Sequence, residues 1–246
     1  MVIPNKGVFG GVPLNAEGQK LGMACPAFDV NAACAGFSYA LATATAMVET
    51  GVADTALLVG AEVFSRILDF SDRQTCILFG DGAGAVVLQA TDRPGIESTV
   101  LGADGSAAEI LIVPGGGARE PATAETVATS RHRVHMPNGR EVFKRAVTEM
   151  ANACLEVLDK NGHSPDDVDV LIPHQANARI MRAVAERLHI PEEKAVLDVA
   201  EVGNTSAASI PIALDRAWRA GRIHEGDLVL FTSFGAGLTW GASLVR

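Results

Sequence analysis

Three side chains in this sequence have a chemistry that their neighbours do not explain: Cys34 in NAACAGF, His174 in IPHQANARI and Asn204 in EVGNTSAASIP. Cys34 is expected in the first turn of an alanine-rich helix that follows a short strand. Unpaired N–H groups and the positive end of the helix dipole favour a thiolate there, which predicts a lowered pKa and a nucleophile. Taken alone, a cysteine among small residues reads more readily as core. His174 leaves a strand and opens a helix, the C-terminal strand end where α/β proteins place ligands. Asn204 alone is a cap or turn former. Together, a Cys, a His and an Asn without an acid suit acyl transfer from a thioester to the sulfur. His and Asn then donate to a second thioester as an enolate develops. The same three letters also write a cysteine protease, in which His lies within hydrogen-bond reach of Cys and Asn orients it.

Bringing them together falls to an internal repeat. Residues 25–62, CPAFDVNAACAGFSYALATATAMVETGVADTALLVGAE, read as a strand ending at Val30, a tight turn, a helix over Ala35–Val48 stopped by Gly51, and a strand over Ala56–Gly60. That helix has almost no polar face, which predicts burial all round. Residues 196–230 repeat the order, with Asp198-Val199, a small-residue helix, Gly221 and an apolar strand. Each repeat then runs through a Gly-x-Gly turn, Gly82-Ala83-Gly84 or Gly235-Ala236-Gly237, into a final strand. This is the pattern of two halves of a duplicated α/β fold. Asn204 falls close to the place in the second half that Cys34 holds in the first. A pseudo-twofold axis then joins the two helix starts, with His174 arriving from the neighbouring crossing, so that all three line one pocket.

The rest of the chain supplies the frame. Strands are expected at Ile77–Phe79, Gly95–Leu101, Glu109–Val113 and Val168–Ile172, and amphipathic helices at Glu141–Leu158 and Ala176–Leu188. In the first helix Phe143, Val147, Met150, Cys154 and Leu158 share a face, which makes Cys154 a core residue. In the second, Ile180, Val184 and Leu188 point inward. The glycines of Gly80–Gly84 do not make a phosphate loop, because no helix opens after Gly84 and no Walker lysine follows; they read as backbone crossing close to a neighbour. Residues 115–138 form a long loop, either a functional cover or a flexible excursion. Where the second half has an early helix and strand, the first offers only residues 1–22, a loosely structured opening with one helical turn near Ala16–Leu21. The organisation expected is therefore an atypical opening at 1–22, a shortened first half at 23–110 carrying the nucleophile, and a covering loop plus second half at 111–246 carrying His and Asn. A half without its early strands leaves sheet edges or apolar faces bare.

Composition narrows the classes. With 246 residues, 48% hydrophobic and 20% charged, the chain is globular and can bury a sizeable core. A formal charge of −9 argues against a broad nucleic-acid surface. Apolar runs are too short to span a bilayer. Cys25, Cys34, Cys76 and Cys154 show no metal-ligand spacing and no signal peptide precedes them, which points to a reducing cytoplasm. His132 and His135 lack the carboxylate or cysteine that would complete a metal site.

Cys25 to Leu88, including NAACAGF and DRQTCILFGDGAGAVVL, resembles the beta-ketoacyl-acyl-carrier-protein synthase III family of the thiolase superfamily, as do NGREVFK, IPHQANARI, EVGNTSAASIP and FGAGLTWGASLVR. The resemblance implies a thiolase-like duplicated α/β fold with layered sheets and buried helices, its first half shortened. It implies a decarboxylating Claisen condensation in which Cys34 is acylated by a short acyl-CoA. His174 and Asn204 then assist loss of CO2 from malonyl-acyl-carrier protein, whose carbanion attacks the acyl-enzyme. The backbone N–H groups of Cys34 and Ala236 form the oxyanion hole, Ala236 standing where the family usually has glycine. Phe231, Thr205 and Ile210 are expected beside the pocket. Arg179 and Arg182 are the expected carrier-protein contacts, with Arg216, Arg219 and Arg222 as a second basic cluster. No cofactor is implied, acyl-CoA being a substrate, and the assembly implied is a homodimer. The alternatives are a non-catalytic homologue with a structural or binding role, supported by the missing early region, and a related condensing enzyme of secondary metabolism.

Overall fold

In the computed structural model, which describes residues 2–4 and 25–246, two central helices lie between two four-stranded sheets. The first sheet has the order β2-β1-β3-β4, with β1 Val2–Pro4, β2 Phe28–Val30, β3 Thr55–Glu62 and β4 Gly82–Gln89. Strand β1 runs parallel to both its neighbours and β4 antiparallel to β3. The second sheet has the order β5-β8-β7-β6, with β5 Ile96–Ala103, β6 Val170–Pro173, β7 Val229–Gly235 and β8 Thr239–Val245. Strands β6 and β7 are parallel, and β8 is antiparallel to both β7 and β5. The passage from one sheet to the other falls between Gln89 and Ile96.

Between the sheets lie α1 Gly36–Glu49 and, in the second half, α6 Ser209–Arg219. Helix α1 stops because Gly51 takes a left-handed φ of 71° and the Val52 N–H closes back on the Met47 carbonyl at 2.9 Å. Gly221, with φ 67°, ends α6 in the same way, the Arg222 N–H reaching the Ala217 carbonyl at 3.0 Å. Burial of α1 is one-sided rather than complete. Gly36, Phe37, Ser38, Ala40, Leu41 and Ala44 are buried, but Ala46 and Glu49 emerge to solvent in the last turns.

The remaining named helices are α2 Ala124–Ala128, α3 Gly139–Lys160, α4 Ala178–Arg187 and α5 Val199–Val202. Helix α3 is capped by Asn138, whose side chain accepts from the Glu141 N–H, and it carries Lys160 in its last turn to complement the dipole. It covers the second sheet with Val142, Ala146, Met150, Cys154, Val157 and Leu158 buried; Phe143 and Val147 are only half-buried. Ile180, Val184 and Leu188 point inward from and just beyond α4, as their spacing requires. The first sheet is treated differently. Strand β4 alternates half-buried and exposed residues, and Ala83, Ala85 and Val87 face solvent, Val87 being 67% exposed. No described helix covers that face.

Several local expectations change. Ile77 and Leu78 lie in a turn and Phe79 forms an isolated parallel bridge to Asn204, so that no strand runs there, and Gly82-Ala83-Gly84 lies inside β4, with Gly84 opposite Gly60. Residues 105–110 form a 3-10 turn, leaving Ile112 alone bridged to His135. Asp198 precedes the short helix α5, and the extended backbone of that unit is earlier, at Ala195, bridged to Leu171. Val2–Pro4 is a strand in the middle of a sheet, the position that β6 holds beside β7; the helical turn expected near Ala16–Leu21 lies outside the described residues.

The two halves meet where glycine leaves no room for a side chain. A Cβ on Gly60 of β3 would stand 2.7 Å from the Ala207 oxygen and 2.9 Å from the Ala208 Cα; one on Gly235 of β7 would stand 2.7 Å from the amide nitrogens of Cys34 and Ala35. Both neighbours are backbone and cannot swing aside. Gly60→Ala is therefore expected to cost about 1–3 kcal/mol, lowering Tm by several degrees, whereas Gly105→Ala, with nothing within 4 Å, leaves Tm unchanged. Calorimetry of the two variants checks this.

Candidate active site

The two halves build the same backbone device at their seam. In the first, Ala33–Ala35 makes a 3-10 turn ahead of α1, Ala33 has φ 48°, and its N–H donates to Asn31 Oδ1 at 3.1 Å. In the second, Ser206–Ala208 makes a 3-10 turn ahead of α6, Ser206 has φ 50°, and its N–H donates to Asn204 Oδ1 at 2.9 Å. The register is thus Asn31 with Asn204 and Cys34 with Ala207. Asn204 stands three residues before the counterpart of Cys34 rather than upon it.

Each turn rests on the other half: Cys34 against Gly235 of β7, Ala207 against Gly60 of β3. Ser38 and Ser233 tie α1 to β7 through a buried 2.7 Å hydrogen bond, and Thr239 Oγ1 donates to the Ala32 carbonyl at 2.8 Å. Asn204 is pinned by the first half in turn. Its N–H donates to the Leu78 carbonyl at 2.8 Å, and its carbonyl accepts from the Gly80 N–H at 2.9 Å. With Oδ1 occupied by Ser206, the Asn204 Nδ2 is left to donate outward. His174 follows β6, its N–H extending the ladder to the Thr232 carbonyl at 2.7 Å and its Nδ1 2.7 Å from Ser209 Oγ. Gln175 secures that corner, donating to the Pro173 and Val196 carbonyls at 2.7 and 3.0 Å and accepting from the Asp198 N–H at 2.6 Å.

Cys34, His174 and Asn204 line one small cavity of about 60 Å³, with Phe79, Leu111 and Phe234 among its walls. Cys34, Phe79 and Leu111 also line a second cavity of about 410 Å³, whose lining includes Phe64, Ile67, Ile112 and Val134, the buried Glu62, and Ala236. The sulfur therefore stands where two largely apolar cavities meet, the smaller of which carries the His174, Asn177 and Asn204 side chains. Phe79 stacks on Phe64 at 4.5 Å between ring centroids. Residues 114–138 cover this side as an ordered segment. The Val134 N–H donates to the Ile67 carbonyl at 2.9 Å, Arg133 donates to the carbonyls of Arg66 and Leu68, and Arg131 pairs with Glu120. Ala236 is not among the non-glycine residues with positive φ, so alanine needs no strained backbone there. Of the other expected pocket neighbours, Thr205, Ile210 and Phe231 line neither cavity. Phe79, Leu111, Ser206, Ser209 and Gln175 are the residues that sequence reasoning missed; the glycine-rich run after Phe79 was the one signal that chain crosses closely there.

Electrostatics revise the picture of the nucleophile. Burial pushes the Cys34 thiol up to about 12; the Glu62 charge adds to the rise, while hydrogen bonds from the Ser206 side chain and the cysteine's own backbone oppose it. The helix-end expectation of a lowered pKa is overturned, because removing the thiolate from water outweighs the helix start. Burial likewise lowers His174 to about 4, against a backbone hydrogen bond at Ser206, so the imidazole is neutral at pH 7.

On the surface, Arg179 is exposed and makes no ion pair among the described residues, whereas Arg182 is engaged with Glu192 at 2.9 Å. The second basic cluster is spent internally. Arg216 pairs with Asp198, Arg219 with Asp215, and Arg222 donates to the carbonyls of Glu193 and Ala195. Among the described residues no group of three His, Cys, Asp or Glu side chains could hold a metal ion, and no helix is long and apolar enough to cross a membrane.

Two α/β halves related by a pseudo-twofold, with their helix starts crossed at the seam, define a thiolase-like fold. Residues 28–105 match the family described as 3-oxoacyl-[acyl-carrier-protein (ACP)] synthase III, and residues 158–246 match that family's C-terminal part. A beta-ketoacyl-[acyl-carrier-protein] synthase III of Erythrobacter litoralis is 55% identical over 226 residues, spanning 90% of this chain and 68% of that protein. The crystal structure of 3-oxoacyl-(acyl carrier protein) synthase III from Pseudomonas aeruginosa superposes with a TM-score of 0.90 at 41% identity, over 100% of this chain and 75% of that one. The priming beta-ketosynthase of the R1128 polyketide pathway superposes with 0.88 at 35% identity, over 99% and 73%. The chain belongs to the 3-oxoacyl-[acyl-carrier-protein] synthase III family.

A neutral buried imidazole has a sign in stability. Below pH 6.5 an unfolded histidine takes up a proton that the folded one refuses until about pH 4. Folding stability is expected to fall with pH across that window, by about 3 kcal/mol in all from this group. Urea unfolding of the wild type and His174→Gln between pH 7 and 4 should show a steeper loss for the wild type.

Proposed function

We propose that this chain is a condensing acyltransferase that joins a short acyl group from acyl-CoA to malonyl-acyl-carrier protein with loss of CO2, giving 3-oxoacyl-acyl-carrier protein, the initiating step of fatty acid synthesis. The observation that carries the reading is the meeting of Cys34, His174 and Asn204, from three separate elements, in one cavity. Family membership supports the substrates. In the first step the Cys34 sulfur attacks the acyl thioester, the C–S bond to CoA breaks, and the thiol proton leaves with CoA. The negative oxygen of the tetrahedral intermediate faces the backbone N–H groups of Cys34 and Ala236, both on the larger cavity, whose apolar wall receives the acyl chain.

In the second step the malonyl thioester reaches the recess that holds His174 and Asn204. Its C–CO2 bond breaks, the electron pair moves toward the thioester oxygen, and neutral His174 and the Asn204 amide donate to the developing enolate. The carbanion then attacks the acyl carbonyl, and the Cys34 thiolate leaves. A high thiol pKa suits this order, since the resting sulfur is protonated and becomes an anion only with a partner present. A protease reading loses support because, among the described residues, the side-chain partner of His174 Nδ1 is the Ser209 hydroxyl rather than a carboxylate or amide that would orient it as a base toward the sulfur.

The basic surface that receives acidic carrier protein centres on Arg179, at the start of α4 beside the cavity residues Asn177 and Ile180. Arg182, held by Glu192, contributes less. The division into a nucleophile half and a His/Asn half, a cytoplasmic location and a homodimer complete the proposal. A non-catalytic role retains one supporting observation, the exposed Ala83, Ala85 and Val87 face of the first sheet.

Intact-mass analysis decides the first step: acetyl-CoA should add one acetyl group to the wild type and none to Cys34→Ala, and an unmodified wild type refutes the catalytic reading. His174→Ala and Asn204→Ala should still accept the acetyl group while losing release of CO2 from malonyl-acyl-carrier protein by about 100-fold or more. Arg179→Glu should slow the carrier-dependent step by about 10-fold and leave acylation by acetyl-CoA unchanged, equal loss in both assays ruling out a carrier contact.

A further inference from the structure

We infer that Ser209 is a positioning residue that fixes His174 in the tautomer carrying its proton on Nε2. The inference rests on the condensing role proposed for His174 and deepens it. A neutral imidazole has one N–H and one lone pair, and the hydrogen bond made by one nitrogen decides what the other can do. A histidine that must donate to a thioester oxygen while uncharged has to keep its Nδ1 free of a proton. Something must then donate to Nδ1.

Ser209 has the placement for it. His174 and Ser209 are each 1% exposed, and Nδ1 and Oγ stand 2.7 Å apart. The Gln175 N–H, which can only donate, reaches the same Oγ at 3.3 Å. The hydroxyl oxygen is thus already an acceptor from the backbone, and its hydrogen is directed to Nδ1. In the opposite tautomer, two N–H groups converge on that oxygen, and the hydroxyl hydrogen must find another acceptor in a dry site. The protein has placed this hydroxyl where the first half has none: in the register set by the paired 3-10 turns, Ser209 answers to Gly36. Lowering of the His174 pKa by burial agrees with an imidazole that works uncharged.

The test begins without substrate. In protein labelled with nitrogen-15 histidine, the His174 resonances, identified by their loss in His174→Gln, should show a protonated Nε2 and a bare Nδ1 at pH 7. A protonated Nδ1 overturns the inference, and this readout stands even if the protein proves unable to condense anything. In Ser209→Ala the bare-Nδ1 signature should be lost or mixed, and CO2 release from malonyl-acyl-carrier protein should fall by about 10-fold or more with acetylation of Cys34 within about 2-fold. Ser209→Thr, which keeps the hydroxyl, should restore most of it. An unchanged tautomer and rate in Ser209→Ala, in protein with wild-type circular dichroism, also overturns it. Should that variant fail to fold, the wild-type spectrum alone decides.

Discussion

The structure depends on a crossed steric contact. The turn that carries Cys34 sits on a glycine of the second half's central strand, and the matching turn of the second half sits on a glycine of the first's. Each contact is backbone against backbone at a distance that forbids a Cβ. Neither half can shift along the other without a clash or a void, and interiors packed this closely tolerate neither. Around that lock the rest is arranged. Ser38 and Ser233 satisfy each other in the dry seam, and α1 and α6 fill the space between the sheets.

The lock explains why residues so distant in sequence act in one place. Asn204 belongs to the second half, yet its backbone is held by Leu78 and Gly80 of the first, and Phe79 between them forms part of both cavity walls. Cys34 belongs to the first half, yet its amide rests on Gly235 and the Ala32 carbonyl just before it accepts from Thr239. The same burial that gives this geometry raises the thiol pKa and lowers that of His174. Both groups are therefore neutral at rest, and charge arises in the recess only where donors already wait for it.

Much of this was legible in the letters, for a physical reason. Cys34, His174 and Asn204 each sit just past a strand or at a helix start, and an internal repeat placed two of those starts on a common axis. Register was legible only to within four residues, because the alignment of Asp29 with Asp198 treats an extended residue and a helix-adjacent one as equivalent. Expectations failed where tertiary pairing decides local form. Gly82-Ala83-Gly84 reads as a turn, yet lies in β4 because it pairs with Gly60–Glu62 of β3, its two glycines leaving room for Thr205, Pro211 and Ile212. Ile96–Ala103 reads as a strand but not as a partner of the last strand of the chain. The hydroxyl of Ser209 is one serine among several, and only its distance to an imidazole singles it out.

The duplicated turn has a further consequence for anyone wishing to redesign the molecule. Ala207 occupies a mount of the same construction as that of Cys34, with the same left-handed lead-in, the same asparagine lock on the amide before it and the same glycine-backed strand behind. The chain therefore contains a blank copy of its own nucleophile socket, already folded and so far unfurnished. What that copy lacks is space: Ala207 is 1% exposed and lines neither of the cavities beside Cys34, so a nucleophile set there would need a cavity opened around it on a backbone already in place.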